Sequence, residues 1–481
     1  MRPFKLAVVG GGISGLAAAW SLADKGNQVQ VQLFEAGERL GGVLRTEKVD
    51  DFQVELGADS FITNKPWGME FCKKIGFEEE LIPTNDRFRK TFVVHAGRLC
   101  EVPEGFVLMA PHQVWPVVKT PILSVAGKIR LAWEWCVPRK RDGEDESLAH
   151  FVKRRLGREV FERLVQPLVA GIYTADAEQL SLLATLPRFV EMERQHGSLI
   201  RAALKERKSK PNGETARVSG ARYSLFVTPR RGLSSLVQAI ADRLPPDTVK
   251  TERQVLRIAK QAEGGWQIVW KSGDGEVSEC FDGVVVATPA PLAGRMLQGS
   301  EEELAKALKS IPYAGAGIVS LGYREEQFGK PLAGFGFVVP EVEQRKILAC
   351  SFSSIKFAGR APQGKHLLRV FVGGAKHPEL VDLPDEELKR LVHAELRDLL
   401  QVNGEPEMCR ISRYRGAMPQ YHVGHLERVA AIEATAARCL GLELAGNAYH
   451  GVDIPDCIHS GQQAADRLWQ HCLTLTANSA S

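Results

Sequence analysis

Three glycines, Gly10, Gly12 and Gly15, stand in G-x-G-x-x-G spacing within VVGGGISGLAAAW, and Ser14 sits among them. The first allows a tight turn, the second lets backbone approach a pyrophosphate, and the third lets a helix pack on a strand. An anion would rest at the positive end of the following helix. Glu35 closes the next apolar strand, where a carboxylate can accept hydrogen bonds from ribose hydroxyls. The chemistry is capture of a dinucleotide. A second dense run, SRYRGAMPQYHVGHLERV (residues 412–429), holds Arg413, Arg415, Tyr421, His422 and His425. The two histidines are spaced i, i+3, but Pro419 and Gly424 favour extended chain, and no carboxylate or cysteine completes a ligand set. No metal is expected there, and the run reads as a connector that places something else.

The elements that must position the glycines are readable. KLAVVG is a short buried strand, ISGLAAAWSLADKG an alanine-rich helix, and QVQVQLFEA an alternating strand, which together make a βαβ unit. Helical patterning dominates from about residue 145 to 205. The basic run at residues 205–222 reads as an exposed loop. GLSSLVQAIADRL and DEELKRLVHAELRDLL are amphipathic helices, whereas residues 255–290 and LLRVFVGG read as strands. A nucleotide domain begins at the N-terminus, is interrupted by insertions, and is completed near the C-terminus.

The chain has 481 residues, too many for one compact core, so two or three domains are expected. A net charge of +4 is too small for a dedicated nucleic-acid binder. Nine cysteines form no C-x-x-C pair and read as reduced thiols in a cytoplasmic protein. With the first strand at residue 5, no targeting segment is expected ahead of it. No window reaches the roughly 18 uninterrupted apolar residues of a spanning helix. Residues 105–140 are apolar, carry Trp115, Trp133 and Trp135, and are bordered by Lys128, Arg130, Arg139, Lys140 and Arg141. Two readings stand side by side: a surface that dips into one membrane leaflet, and a helical cap over an apolar pocket.

Past Glu35 the chain gives EAGERLGGVLRT, with Arg39, Gly41, Gly42 and Arg45, and then ELGADSF. This resembles the R-x-G-G-R run and flavin-lining segment of the amine-oxidase-like flavoproteins. LELAGNAYHGVDIPDCIHSG, QPLVAGIYTADAEQLSLLATLP and TPRRGLSSLVQAIADRL resemble, more narrowly, the oxygen-dependent protoporphyrinogen and coproporphyrinogen oxidases of haem synthesis. The likeness runs from residue 5 to about 468.

The resemblance implies an α/β fold. A Rossmann-like FAD-binding domain would be assembled from residues 1–85, 228–298 and 408–473. A mixed-sheet substrate domain would comprise residues 86–104 and 299–407, and a helical insertion residues 105–227. FAD would be held by Gly10, Gly12, Ser14, Gly15, Glu35, Arg39, Gly42, Arg45, Gly57, Ala58, Asp59, Ser60, Val255, Gly446, Val452, Asp453 and Ile454. Asp456 or Cys457 would open the last helix toward the flavin pyrimidine. The implied substrate is a tetrapyrrole, coproporphyrinogen III or protoporphyrinogen IX, with O2 as acceptor. Gly171 would lie against it, and Arg87, Arg89 and Lys90 are candidates for its propionates. The family's YAGD reads YTAD here, at Tyr173 to Asp176, which leaves the contacts beyond Gly171 open. Covalent tethering of flavin through His450 or Cys457 is the weaker reading of those residues. Another oxidase of the superfamily, acting on an amine or a polyene, is the alternative, against which Asn447 speaks. Neighbouring haem-pathway enzymes and the inner face of the cell membrane are the expected surroundings; the oligomeric state is not set.

Overall fold

The computed structural model describes residues 2–140, 142–209 and 226–480. A five-stranded, wholly parallel sheet carries the nucleotide motif, in the order Val249–Lys250, Val29–Phe34, Phe4–Val9, Gly283–Val286, Leu442–Leu444. Its central strands read as continuous apolar runs because both faces are covered: Leu6, Ala7, Val8 and Val284 to Val286 are inaccessible. One cover is the helix Ile13–Ala23, whose alanines allow close approach. The long C-terminal helix Ile454–Ala480 packs on it so tightly that a Cβ on Gly461 would lie 2.1 Å from the Ser14 carbonyl. Gly10, Glu35, Thr288 and Gly446 all follow the carboxyl ends of strands. That is the edge at which open parallel sheets bind ligands.

A seven-stranded mixed sheet forms the second unit. Its order is Met408–Pro419, Tyr313–Arg324, Lys365–Gly373, Ala349–Phe352, Gly336–Val338, Phe92–His95, Arg98–Glu101. Pairing is antiparallel except between Gly336–Val338 and Phe92–His95. Period-two alternation splits the sheet into two faces. Leu368, Val370 and Val372 pack with Val319 and Leu321 against the helix Asp385–Leu400 through Leu388, Val392 and Leu396. Arg369 and Phe371, between them in register, turn toward the nucleotide unit. The third unit is helical, with a core built from Phe151, Val152, Leu164, Leu168, Leu182, Phe189 and Leu199.

The expected α/β class is the observed one. The strand Met408–Pro419 belongs to the seven-stranded sheet by its pairing with Tyr313–Arg324. We therefore propose to begin the last nucleotide-domain segment after Pro419 rather than at residue 408, keeping the other boundaries as given. Two local expectations need correction. The basic run expected to be a loop from residue 205 starts inside the helix Leu199–Ser209, and residues 210–225 lie outside the described ones. The last helix opens at Ile454, two residues before the expected start, because the Asp453 side chain accepts the Asp456 amide at 2.9 Å and caps it. Among the described residues no helix is long and apolar enough to cross a membrane.

Candidate active site

The glycine turn is built as its residue types require. Gly10 has φ +107°, and a Cβ on Gly15 would lie 1.9 Å from the Gly10 carbonyl oxygen, so neither tolerates a side chain. Gly12 and Gly446 are different: nothing lies within 4 Å of where their Cβ atoms would be. They border open space, as a backbone cradle for a phosphate requires. Glu35 holds the turn with both oxygens, accepting from the Gly11 amide and the Gly37 amide, each at 2.8 Å. Arg39 donates to the carbonyls of Leu40 (3.0 Å), Leu44 (3.2 Å) and Gly42 (2.6 Å), and so shapes the double-glycine loop rather than facing away from it. That loop docks on the phosphate turn through the Gly41 amide and Gly11 carbonyl, at 2.7 Å. Arg45 is exposed and pairs with Glu47. Val255 is buried with Phe34, Val9 and Trp270 at the edge of the parallel sheet.

Residues 57–60 run from this loop toward the C-terminal helix. The Leu56 amide reaches the Arg45 carbonyl at 2.8 Å, and a Cβ on Gly57 would collide with the Val43 carbonyl oxygen at 1.9 Å. A little further on, Lys65 reaches Asp453 at 2.7 Å and also Asp456. Ala58, Asp59 and Ser60 are half-buried between those two points. Behind them lies an ion cluster. The Lys356 ammonium is 3.2 Å from both Asp59 oxygens and from Ser60 Oγ, and Arg369 Nη1 is 3.3 Å from Asp59. Arg369 also donates to the Gly57 carbonyl. Burial alone would raise the Asp59 pKa, yet Lys356 and Arg369 outweigh it and hold this carboxyl far below the usual range. Nearby Glu55, inaccessible to solvent, is pushed up to about 7 by burial.

The connector reading of residues 412–429 applies to two segments. Its first half is the edge strand Met408–Pro419, and His425 begins the helix His425–Ala436. Between them Tyr421 is the working residue. Its hydroxyl donates to the Asn447 carbonyl at 2.6 Å and accepts from the Gly451 amide at 2.9 Å, bracing the loop that carries Val452 and Asp453. His425 stacks on the Tyr421 ring, with centroids 3.9 Å apart, and burial pushes its pKa down to about 4. His450 pairs with exposed Glu433 at 2.6 Å. Cys457 is buried, with its thiol raised to about 12 by burial, a poor nucleophile for a flavin tether.

The propionate candidates and Gly171 reach the same strand from two sides. The Lys90 carbonyl accepts from the Phe335 amide at 2.8 Å, next to Gly336–Val338, and a Cβ added at Gly171 would lie 4.0 Å from a Val338 methyl. Val338, Tyr173 and Val452 all pack against the helical core, so the seven-stranded sheet, the helical unit and the loop of Val452 converge there. Arg87 is exposed, Arg89 half-buried, and Lys90 is already paired with Glu101 at 2.9 Å. Thr174, in the divergent YTAD turn, has φ +47°, a strained value for a β-branched residue. A cleft of about 240 Å³ beside it is lined in part by Thr174, Leu348, Gly374 and Lys376. Lys376 spans its mouth, bonded to Glu341 at 2.9 Å and 3.5 Å from Asp176.

Sequence reasoning passed over Lys65, Lys356, Arg369 and Tyr421. A signal existed for two of them: a lone arginine in the apolar strand LLRVFVGG and a lone lysine in SFSSIKF.

Residues 13–469 match the family described as flavin containing amine oxidoreductase. The chain is 34% identical over 462 residues to coproporphyrinogen III oxidase of Bacillus subtilis (strain 168), covering 95% of this chain and 96% of that protein. It is 30% identical to the chloroplastic protoporphyrinogen oxidase of Nicotiana tabacum, across 96% of this chain and 84% of that one. A crystal structure from Exiguobacterium sp. 255-15, described as a candidate protoporphyrinogen oxidase, superposes with a TM-score of 0.85 at 30% identity, covering 97% and 98% of the two chains.

Proposed function

This chain belongs to the flavin containing amine oxidoreductase family, and from that premise we propose that it is the FAD-dependent porphyrinogen oxidase of a haem pathway, with coproporphyrinogen III as preferred substrate. The carrying observation is end-to-end likeness to a coproporphyrinogen III oxidase, with 96% of that protein covered. Bound FAD would supply hydride acceptance from the methylene bridges of the macrocycle, three two-electron oxidations in all, with O2 as the final acceptor and hydrogen peroxide as the co-product.

The chain's own residues supply binding, orientation and electrostatics. Gly12 and Gly446 leave room for the pyrophosphate, and Glu35 stiffens the turn while offering lone pairs to ribose. Gly57 to Ser60 and the loop of Val452 to Ile454, braced by Tyr421, would hold the flavin ring, and the helix N-terminus capped by Asp453 would stabilise negative charge there. Gly171, which carries no Cβ, would let backbone approach a flat macrocycle. Arg87 and Arg89 receive propionates at the rim, where arginine forks suit carboxylates.

We further propose that the helical unit rests on an anionic membrane surface. Trp115 and Val125 are 72% and 74% exposed, beside exposed Val118, Ile129 and Trp133, with Lys119 and Arg139 at the border. Cosedimentation with phosphatidylglycerol vesicles, lost in a Trp115→Ala/Trp133→Ala variant, tests it.

The activity test is aerobic formation of porphyrin fluorescence by yellow purified protein, offered coproporphyrinogen III and protoporphyrinogen IX in parallel. Faster turnover of the four-carboxylate substrate is expected. No rate above spontaneous oxidation with either would overturn the assignment and turn attention to amines and polyenes.

A further inference from the structure

The cleft of about 240 Å³ beside Thr174 has a basic lining: Arg345, Lys346, Lys376 and His377 against a single acid, Glu341. Arg345 is neutralised from behind by Glu395 at 2.8 Å and by Asp398, and His377 stands 3.3 Å from Glu379. Lys346 is exposed at the rim, where its backbone amide donates to Glu395 at 3.0 Å. Lys376 is held more loosely than its two acids suggest. Its ammonium reaches Glu341 at 2.9 Å but Asp176 only at 3.5 Å, and Lys376 and Glu341 are 36% and 42% exposed. An ion pair this open contributes about 0.2–1 kcal/mol. A carboxylate borne by a ligand already anchored nearby competes as an intramolecular partner, and so weak a pair yields to it.

The wall of the cleft carries two independent marks. Thr174 is buried with no hydrogen-bond partner for its hydroxyl, and its φ is +47°. Strained backbone clusters at ligand sites, and an unsatisfied buried hydroxyl calls for a reason. The position offers one. Thr174 follows Gly171 by three residues, and Val339 of the cleft follows Val338, the neighbour of Gly171. The cleft therefore begins within one turn of chain of the place where Gly171 would admit a macrocycle. A propionate is a flexible arm that ends in the group Lys376 binds.

We propose that this cleft is a carboxylate subsite, in which Lys376 exchanges Glu341 for a propionate of the macrocycle and the Thr174 hydroxyl gives a second hydrogen bond. Lys346 adds positive charge at the rim. The subsite selects a substrate with four carboxylates over one with two, because a vinyl group in the same place offers Lys376 and Thr174 nothing. Arg87 and Arg89 are left to the propionates that both substrates carry. The proposal rests on the porphyrinogen reading above and adds the residues that choose between its two substrates.

Two variants test it, Lys376→Met and Glu341→Gln. Each FAD-loaded full chain is assayed for aerobic porphyrin formation from coproporphyrinogen III and from protoporphyrinogen IX. The readout is the ratio of kcat/KM for the first substrate to that for the second. Lys376→Met should lower this ratio about tenfold, the loss expected for one hydrogen bond to a charged group. Glu341→Gln removes the competing carboxylate and should raise it about threefold. A merely structural Lys376–Glu341 pair is broken by either variant, so both ratios would move the same way or neither would. That pattern, or opposite shifts of the reverse sign, overturns the proposal. Parent protein that oxidises neither porphyrinogen above the spontaneous rate would instead overturn the porphyrinogen reading. Should Lys376→Met fail to fold, a ratio unchanged or lowered in Glu341→Gln alone refutes the proposal.

Discussion

Two ion clusters, one half-buried and one buried, flank residues 58–60, and they are opposite in composition. Toward the C-terminal helix, Lys65 faces two carboxylates, Asp453 at 2.7 Å and Asp456. Toward the sheet, Asp59 faces two cations. The acidic surplus sits at a helix N-terminus, where backbone amides and the dipole offset it, and Asp453 spends one oxygen as a cap. The cations of the basic cluster instead hold residues 57–60, Arg369 donating to the Gly57 carbonyl and Lys356 reaching Ser60 at 3.2 Å. Like arithmetic thus serves different joints: one cluster fastens a helix to a loop, and the other fastens the seven-stranded sheet to residues 57–60.

Breaking each cluster at its lysine should expose the contrast. Lys65→Met leaves Asp453 and Asp456 facing one another without a cation, and should destabilise the FAD-loaded protein by about 2 kcal/mol in urea unfolding, a buried-pair cost reduced by solvent at this half-exposed site. Lys356→Met leaves Asp59 still paired with Arg369, so its stability cost should be smaller, about 1.5 kcal/mol. Equal losses would show that both clusters are structural.

The acids sharpen the contrast through pH. Glu55, beside the basic cluster, has a folded pKa of about 7, raised by burial above its unfolded value. Its contribution to stability is therefore full below about pH 4.5 and is lost as pH rises through 7. Glu55→Gln should flatten that decline and gain about 2 kcal/mol at pH 8, read from unfolding midpoints across pH. Asp456 is raised to about 6 by burial first and by Asp453 second, so its stability contribution falls between about pH 4 and 6. Asp456→Asn should remove this slope and gain about 1 kcal/mol at pH 7, the smallest of these effects. A slope that survives in either variant would assign the pH dependence elsewhere.

What could be seen in the sequence follows from how local each requirement is. The nucleotide turn was legible because Gly10 and Gly15 answer to sterics within a few residues. The C-terminal loop was legible as a segment, though its helix start was misplaced: Asp453 ahead of Pro455 is a cap signature that was read too late. The connector reading of residues 412–429 located the run but not Tyr421, whose partners Asn447 and Gly451 lie in a separate segment. The ion clusters were illegible for a stronger reason. Asp59 and Lys356 are 297 positions apart, and only the order of strands in the seven-stranded sheet brings Arg369 beside them. Alternation tells that Arg369 and Leu368 face opposite ways, but not which way holds the cofactor.

Tyr421 carries one more implication. The Ser181 amide binds the Tyr421 carbonyl at 2.7 Å, so the residue that braces the cofactor loop is also hydrogen-bonded to the helical unit. One residue thus ties two units by two different groups, its carbonyl to the helices and its hydroxyl to the loop, so a displacement of either unit is transmitted to the other through Tyr421.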